Sequence, residues 1–401
     1  MIANLRFLER INMSEWKEYK LKDITYKITS GGTPKSAEAS YYDGDIPWLN
    51  TKEINFNRIG KTERYITEDG LNNSSAKWIP KDSVIIAMYG TTAAKVAYSL
   101  IDLTTNQACC NLIINKDIAD SKFVYYYIQS SYEDLFNLAC GAAQQNLSVG
   151  VIAEFPILLP PLEEQKRIAS ILSSLDDKID LLHRENATLE AMAETLFKEY
   201  VLDKDNDATL EQIIFVQNGY AFKSKDFKEK GGHLIIKIKN ISNGTIDIDT
   251  TDCVDNDVIV DVSTKFKINS GDILIAMTGA EIGKLGVIPK NDKSLWLNQR
   301  VGLLVEKYKG AKYLAYLQLK SEYGQDYIEN TATGSAQPNI SGIGIEKCGF
   351  PDLSEDERIQ ISQQIGEFYD KIIFNLGQIN NIQNLKDNLL NKLMSNEINL
   401  F

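Results

Sequence analysis

The feature that most constrains this chain is the heptad pattern between Pro161 and Leu202, PPLEEQKRIASILSSLDDKIDLLHRENATLEAMAETLFKEYVL. Apolar residues fall alternately four and three apart at Ile168, Leu172, Leu175, Ile179, Leu182, Leu189, Ala193, Leu196 and Tyr200, which marks one side of a helix as a coiled-coil seam. A seam of that length demands a partner helix. Asn186 occupies one seam position, where a polar residue lowers stability but penalises other registers and orientations, so it reads as a register device. Pro160 and Pro161 stop any preceding strand, and Glu163 and Glu164 sit in the first turn, where the helix dipole favours negative charge.

The partner is encoded further along the same chain. Val84-Ile85-Ile86-Ala87-Met88-Tyr89-Gly90 is answered by Ile273-Leu274-Ile275-Ala276-Met277-Thr278-Gly279, and Lys95 by Lys284. Asn106-Gln107 is answered by Asn298-Gln299, the loop GAAQQNLS from Gly141 by GSAQPNIS from Gly334, and Asp177-Lys178-Ile179 by Asp370-Lys371-Ile372. The displacement stays near about 190 residues, so a whole domain plus its helix is duplicated in tandem. The second helix carries Ile365, Phe368, Ile372, Ile379, Ile382, Leu389 and Leu393, with Asn375 and Lys386 interrupting the strict seam. Two helices of about 40 residues would each run near 60 Å at about 1.5 Å per residue.

The fold expected is therefore α+β: two globular mixed α/β domains separated by two long antiparallel coiled-coil helices, with an internal pseudo-twofold repeat. The expected segments are 1–160 for the first domain, 161–203 for the first helix, 204–352 for the second domain and 353–401 for the second helix. Residues 1–13 read as a mobile tail and Met13 as an alternative start, because organised sequence begins at Trp16. A chain of 401 residues with 43% hydrophobic and 24% charged residues is long enough for two well-packed cores. No apolar run is long enough for a bilayer and Glu9 and Arg10 interrupt any signal-peptide core, so no membrane association is expected and the compartment expected is the cytoplasm.

Chemistry is notable for what is missing. No GxxxxGK[ST] phosphate loop occurs, and Gly279-Ala280-Glu281-Ile282-Gly283-Lys284 has the wrong spacing for one. Pro160-Pro161 lies between leucines, without the polar and aromatic flanks that hold an amine in amino-methyltransferases. GxSxG and HExxH motifs are absent, and Cys109, Cys110, Cys140, Cys253 and Cys348 with only His183 and His233 give neither a zinc spacing nor a nucleophilic pair. These thiols read as buried and reduced, so no catalytic or metal residues are expected. A net charge of -12 is unusual for a nucleic-acid binder, but steering depends on where charge lies, and acidic helix surfaces can coexist with basic loops or a basic partner.

The opening WKEYKLKDI, IIAMYGTTAAKVA with its copy LIAMTGAEIGKLG, the NQ pairs, GAAQQNLS with GSAQPNIS, and PPLEEQKRIASILSSLDDKID with its weaker copy resemble, in this order, the specificity subunit of Type I restriction-modification systems. The resemblance covers almost the whole chain. It implies two target recognition domains, each reading one half of a bipartite, asymmetric site in double-stranded DNA, with helices that set the gap and dock methyltransferase subunits, two of them, and through the complex restriction-translocation subunits. It implies no active site and no cofactor on this chain: S-adenosylmethionine, ATP and magnesium belong to the partner subunits. The second helix opens with Pro351-Asp352-Leu353-Ser354-Glu355-Asp356-Glu357 where the first has PPLEEQK, a departure that makes docking at that end weaker or asymmetric.

For contact with DNA, Tyr89, Thr91, Thr92 and Lys95 and their counterparts Thr278 and Lys284 combine glycine turns, hydroxyls and one lysine, suited to phosphate; the competing reading is a tight turn after a buried strand. Gln144, Gln145, Asn146, Gln337 and Asn339 have amides able to bond both edges of adenine, and a role in closing the domain competes equally. Asn50, Thr51 and Lys52, matched by Lys237 to Lys239, are further candidates. A stand-alone DNA-binding or scaffold protein without restriction partners is the alternative function; an enzyme in its own right is disfavoured by the missing motifs.

Overall fold

Val84–Ala87, the most apolar stretch of the first half, is a strand buried along its whole length, and a sheet forms around it. In the computed structural model, which describes residues 16–140, 146–334, 337–395 and 397, the strand order in this sheet is Thr25–Ser30, Cys109–Ile114, Val84–Ala87, Val96–Ser99 and Asn57–Ile59. All pairs are antiparallel except the last. A second sheet orders Arg64–Ile66, Tyr42–Leu49, Leu103–Thr105 and Trp78–Ile79, with a parallel pair between Tyr42–Leu49 and Leu103–Thr105. The tyrosine-rich segment forms the helices Ser121–Ser130 and Tyr132–Cys140, and the first of these buries Phe123, Val124, Tyr125, Tyr126 and Ile128. The WKEYKLKDI opening is the strand Lys17–Lys20 followed by one 3-10 turn, Leu21–Ile24. That strand pairs antiparallel with Pro156–Leu159, the last strand before the first long helix.

The second half repeats this arrangement strand for strand. Its large sheet orders Ile214–Asn218, Val301–Glu306, Ile273–Ala276, Leu285–Val287 and Gly244–Ile246, with Ile241–Ser242 added at the edge. Its smaller sheet orders Asp252–Val254, His233–Ile236, Leu295–Leu297 and Lys267–Ile268. The parallel pairs recur at the same two places, and Ala208–Thr209 with Gly349–Phe350 repeats the entry ribbon. Helices Ala311–Lys320 and Glu322–Thr331 repeat the tyrosine-rich pair. The chain is thus α+β, a duplicated mixed domain with two long helices.

The helices are Leu162–Phe197, continued by a π turn over Lys198–Leu202, and Glu355–Met394. The residues form two compact units, one reaching to Asp177 and resuming from Asn384, the other Lys178–Gln383, so each unit holds a segment of both helices. In the first unit Ile168, Ala169 and Leu172 share a core with Leu390, Leu393 and Met394, Leu389 lies at its margin, and Leu175 is half-buried. In the second, Ile179, Leu182 and Ile379 cluster with Ile382 beside them, and Ile365 and Ile372 enter the main core with Leu189 and Phe368 at its edge. In the second unit the partner number falls as the residue number rises, from Ile179 and Leu182 beside Ile379 and Ile382 to Asn186 with Asn375, the signature of antiparallel pairing.

One seam position differs from the heptad reading. Tyr200 is 43% exposed, and Phe197 and Val201 are buried in its place. A strict seven-residue repeat drifts around a straight helix by about 20° per heptad, and here the helix end packs on the domain core and widens into a π turn. Among the described residues no helix is long and apolar enough to cross a membrane.

Candidate nucleic-acid interface

The two glycine-bearing turns after the central strands have the same hydrogen bonds. In the first domain Ala94 N donates to Ala87 O at 2.8 Å, Ala87 N to Lys95 O at 2.9 Å and Ala93 N to Gly90 O at 3.1 Å. In the second, Gly283 N donates to Ala276 O at 2.9 Å, Ala276 N to Lys284 O at 2.8 Å and Ile282 N to Gly279 O at 3.1 Å. Gly90 and Gly279 sit at φ +76° and +82°, with open space where a Cβ would be, so backbone handedness rather than crowding selects glycine there. Around this shared backbone the side chains differ. Tyr89 is 40% exposed, Thr91 is exposed, Thr92 is half-buried, and Lys95 Nζ donates to Asn55 Oδ1 at 2.7 Å beside the Phe56 ring. At the matching places Thr278 is buried and Lys284 pairs with Glu281.

The polar loops before both long helices close back on these turns. Tyr89 bridges Asn146 and Thr278 bridges Asn339, while Leu147 N donates to Met88 O at 2.9 Å and Ile340 N to Met277 O at 3.0 Å. The buried Leu147 and Ile340 anchor the loops, and Ser148 and Ser341 then cap the short helices Val149–Ala153 and Gly342–Glu346. The recurring Asn-Leu-Ser and Asn-Ile-Ser therefore have a closing role. Gln337 is exposed in its loop; Gln144 and Gln145 lie outside the described residues.

The third pair of candidates is also built on caps. Asn50 accepts from Lys52 N at 3.1 Å, and Glu53 returns the bond by accepting from Asn50 N at 2.9 Å, leaving Thr51 half-buried and Lys52 exposed. Burial pushes the Glu53 carboxyl up, against two backbone amides that hold it down. In the second domain Asn240 takes the place of Glu53, accepting from Lys237 N at 3.0 Å. Lys237 and Lys239 converge on Asp252 at 2.8 and 3.1 Å and hold its carboxyl below the usual range, Lys237 first. Lys237 also lies over the Phe227 ring, 3.2 Å from its centroid.

The Asn106-Gln107 and Asn298-Gln299 motifs link the two sheets of each domain. Asn106 N donates to Leu49 O at 3.0 Å and Asn298 N to Ile236 O at 3.2 Å. Gly31 and Gly219 pass directly over these turns, where a Cβ would lie 2.0 Å from Thr105 O and 2.1 Å from Asn298 O. Cation and aromatic groups beside them escaped the sequence reading because only the fold assembles them: Arg64 over Tyr42 and Trp48, and the neighbours Lys265 and Phe266 brought against the distant Tyr220. Burial pushes the thiols of Cys110 and Cys348 up to about 12, so neither ionises near neutrality.

A repeated two-sheet domain, each copy leading into a long helix, matches one family twice: the Type I restriction modification DNA specificity domain, over residues 13–191 and 205–385. The chain belongs to this family. It is 25% identical over 416 residues to the Type I restriction enzyme MjaIX specificity subunit of Methanocaldococcus jannaschii, covering 96% of this chain and 94% of that one. The EcoR124I/EcoR124II specificity subunit of Escherichia coli is 31% identical over 168 residues, 40% of this chain and 41% of that one. Among solved structures, the S subunit of a Type I restriction-modification system from M. genitalium superposes with a TM-score of 0.61 at 17% identity, covering 96% and 97% of the two chains, a likeness of fold. DNA sequence recognition is the role of this family, and this chain is one of its specificity subunits.

Proposed function

We propose that each half of this specificity subunit reads one half of a bipartite, asymmetric DNA target, that the long helices set the unread gap, and that they dock two methyltransferase subunits. The observation that carries the reading is the repetition of one scaffold under unlike surface chemistry. At the same turn one domain offers Tyr89, Thr91 and a lysine bonded to Asn55, and the other a buried Thr278 and a lysine paired with Glu281. Two like scaffolds with unlike side chains suit two unequal half-sites. Of the candidate contacts, Lys52, Tyr89, Thr91 and Gln337 are accessible as they stand, whereas Lys237 and Lys239 would have to leave Asp252 and Lys284 would have to leave Glu281. The chain acts as an adaptor: S-adenosylmethionine, ATP and magnesium are bound by the partner subunits, the restriction-translocation subunits joining through the assembled complex.

The test is target selection from a random DNA library by the complex reconstituted with methyltransferase subunits, beside the isolated chain incubated with labelled S-adenosylmethionine. The expected result is one bipartite motif of fixed gap, methylated by the complex and not by the chain alone. A contiguous motif, or methyl transfer by the pure chain, would overturn the reading.

A further inference from the structure

Four polar residues at or beside the helix seams meet across them in two pairs. Lys386 Nζ lies 2.7 Å from Asp176 Oδ1, with only 5% and 10% of the two side chains exposed. The other oxygen of Asp176 accepts from the buried Tyr126 hydroxyl at 2.5 Å, and burial together with that carboxylate pushes the phenol far above its ordinary range. In the second unit Asn375, fully buried, donates from Nδ2 to Asn186 Oδ1 at 2.9 Å and to Glu185 Oε2 at 3.0 Å. Each pair joins one residue of the first helix to one of the second.

The internal repeat shows what other pairings would cost. Because Asp177-Lys178-Ile179 corresponds to Asp370-Lys371-Ile372, Asp176 corresponds to Tyr369, Leu182 to Asn375, Asn186 to Ile379 and Ala193 to Lys386. If two copies of the first helix paired in the same register, Asp176 would face Ala193 and Asn186 would face Leu182, each mismatch occurring twice by symmetry. If two copies of the second helix paired, Lys386 would face Tyr369 and Asn375 would face Ile379. Such pairings bury ions and amides without partners. We infer that the Asp176–Lys386 and Asn186–Asn375 pairs form a pairing code that joins the two unlike helices and rejects like pairing with a second copy of the chain. Apolar residues at these positions would fit either pairing, so the polar pairs contribute selectivity rather than stability.

The test uses full-length chains, expressed without partner subunits and carrying two different tags in one cell. The wild type is expected to be purified through one tag with at most a trace of the other. Replacing all four residues by leucine, as Asp176→Leu, Lys386→Leu, Asn186→Leu and Asn375→Leu, together with Tyr126→Phe so that no buried hydroxyl loses its acceptor, should give protein that melts no lower than wild type yet carries about tenfold or more of the second tag. A folded leucine variant as free of the second tag as wild type would overturn the inference, as would wild type that carries as much of it as the variant. Should the leucine variant not fold, the charge exchange decides. Asp176→Lys or Lys386→Asp alone buries like charges and should lower the melting temperature. Combining the two should restore melting and keep the second tag at the wild-type trace, and a combined variant no better than the worse single change would overturn the inference.

Discussion

Lengthening the paired helices by one heptad each should lengthen the gap in the DNA target. The insertion points are Asp177/Lys178 in the first helix and Gln383/Asn384 in the second, where both cross from one compact unit to the other. This placement keeps Asp176 with Lys386 and Asn186 with Asn375. Seven residues at about 1.5 Å each add roughly 10 Å, close to about 3 base pairs at 3.4 Å. With about 10 base pairs per turn, that step also rotates the second half-site by roughly 100°, so one heptad both moves and turns the reader's target. Three heptads add about 31 Å, or roughly nine base pairs, which returns the groove to within a fraction of a turn of its starting face. Selection from a library of randomised gap lengths, with the reconstituted methyltransferase complex, should therefore shift to a longer gap in both variants, with stronger recovery for three heptads. Half-site sequences should not change. If a variant with the expected gain in helicity keeps the original gap, the helices do not set the spacing.

Other outcomes follow from particular side chains. Tyr369 is fully buried and stacked on Tyr313 with ring centroids 4.8 Å apart, and its hydroxyl has no hydrogen-bond partner among the described residues. Tyr369→Ala should cost about 3–5 kcal/mol in urea unfolding, and Tyr369→Phe should be neutral within about 0.5 kcal/mol or stabilising; a larger loss for phenylalanine would show that the hydroxyl is bonded. Lys52→Ala and Lys284→Ala should each reduce the slope of log affinity against log salt by about 1, leaving the half-sites unchanged, and an unchanged slope would remove that lysine from the DNA face. Glu357, bonded first by the Ser354 hydroxyl and then by Lys204, is held down to about 2. Its pKa is depressed on folding, so its contribution is complete above the ordinary carboxylate range near 4.5 and fades as pH falls toward 2. The melting advantage of wild type over Glu357→Gln should accordingly be present at pH 6 and shrink below pH 4.5; an advantage constant across that window would contradict the assignment.

Periodicity exposed the helices, and two aligned copies of Val84–Ala87 and Ile273–Ala276 exposed the duplication, because both signals are local and repeated. Caps were less visible: Asn50 read as a candidate for DNA contact and Asn339 as an amide for base edges, yet one closes a 3-10 turn and the other a bridge. Asp176 gave no signal at all. It stands next to Asp177 and Lys178 in what reads as a solvated face, and only the fold brings it to Lys386 and Tyr126. Lys386, read as an interruption of the seam, is explained by that contact. The smaller sheets are assembled from strands of two to eight residues with parallel pairings across long loops, which leave little pattern in one sequence.

The most direct measurement of independent recognition is to exchange residues 13–160 for the equivalent domain of another specificity subunit and determine the sites methylated by the reconstituted complex. The account predicts that one half of the bipartite motif changes while the other half and the gap remain as they were. A motif altered in both halves, or in neither, from a complex that still assembles and methylates, would contradict it.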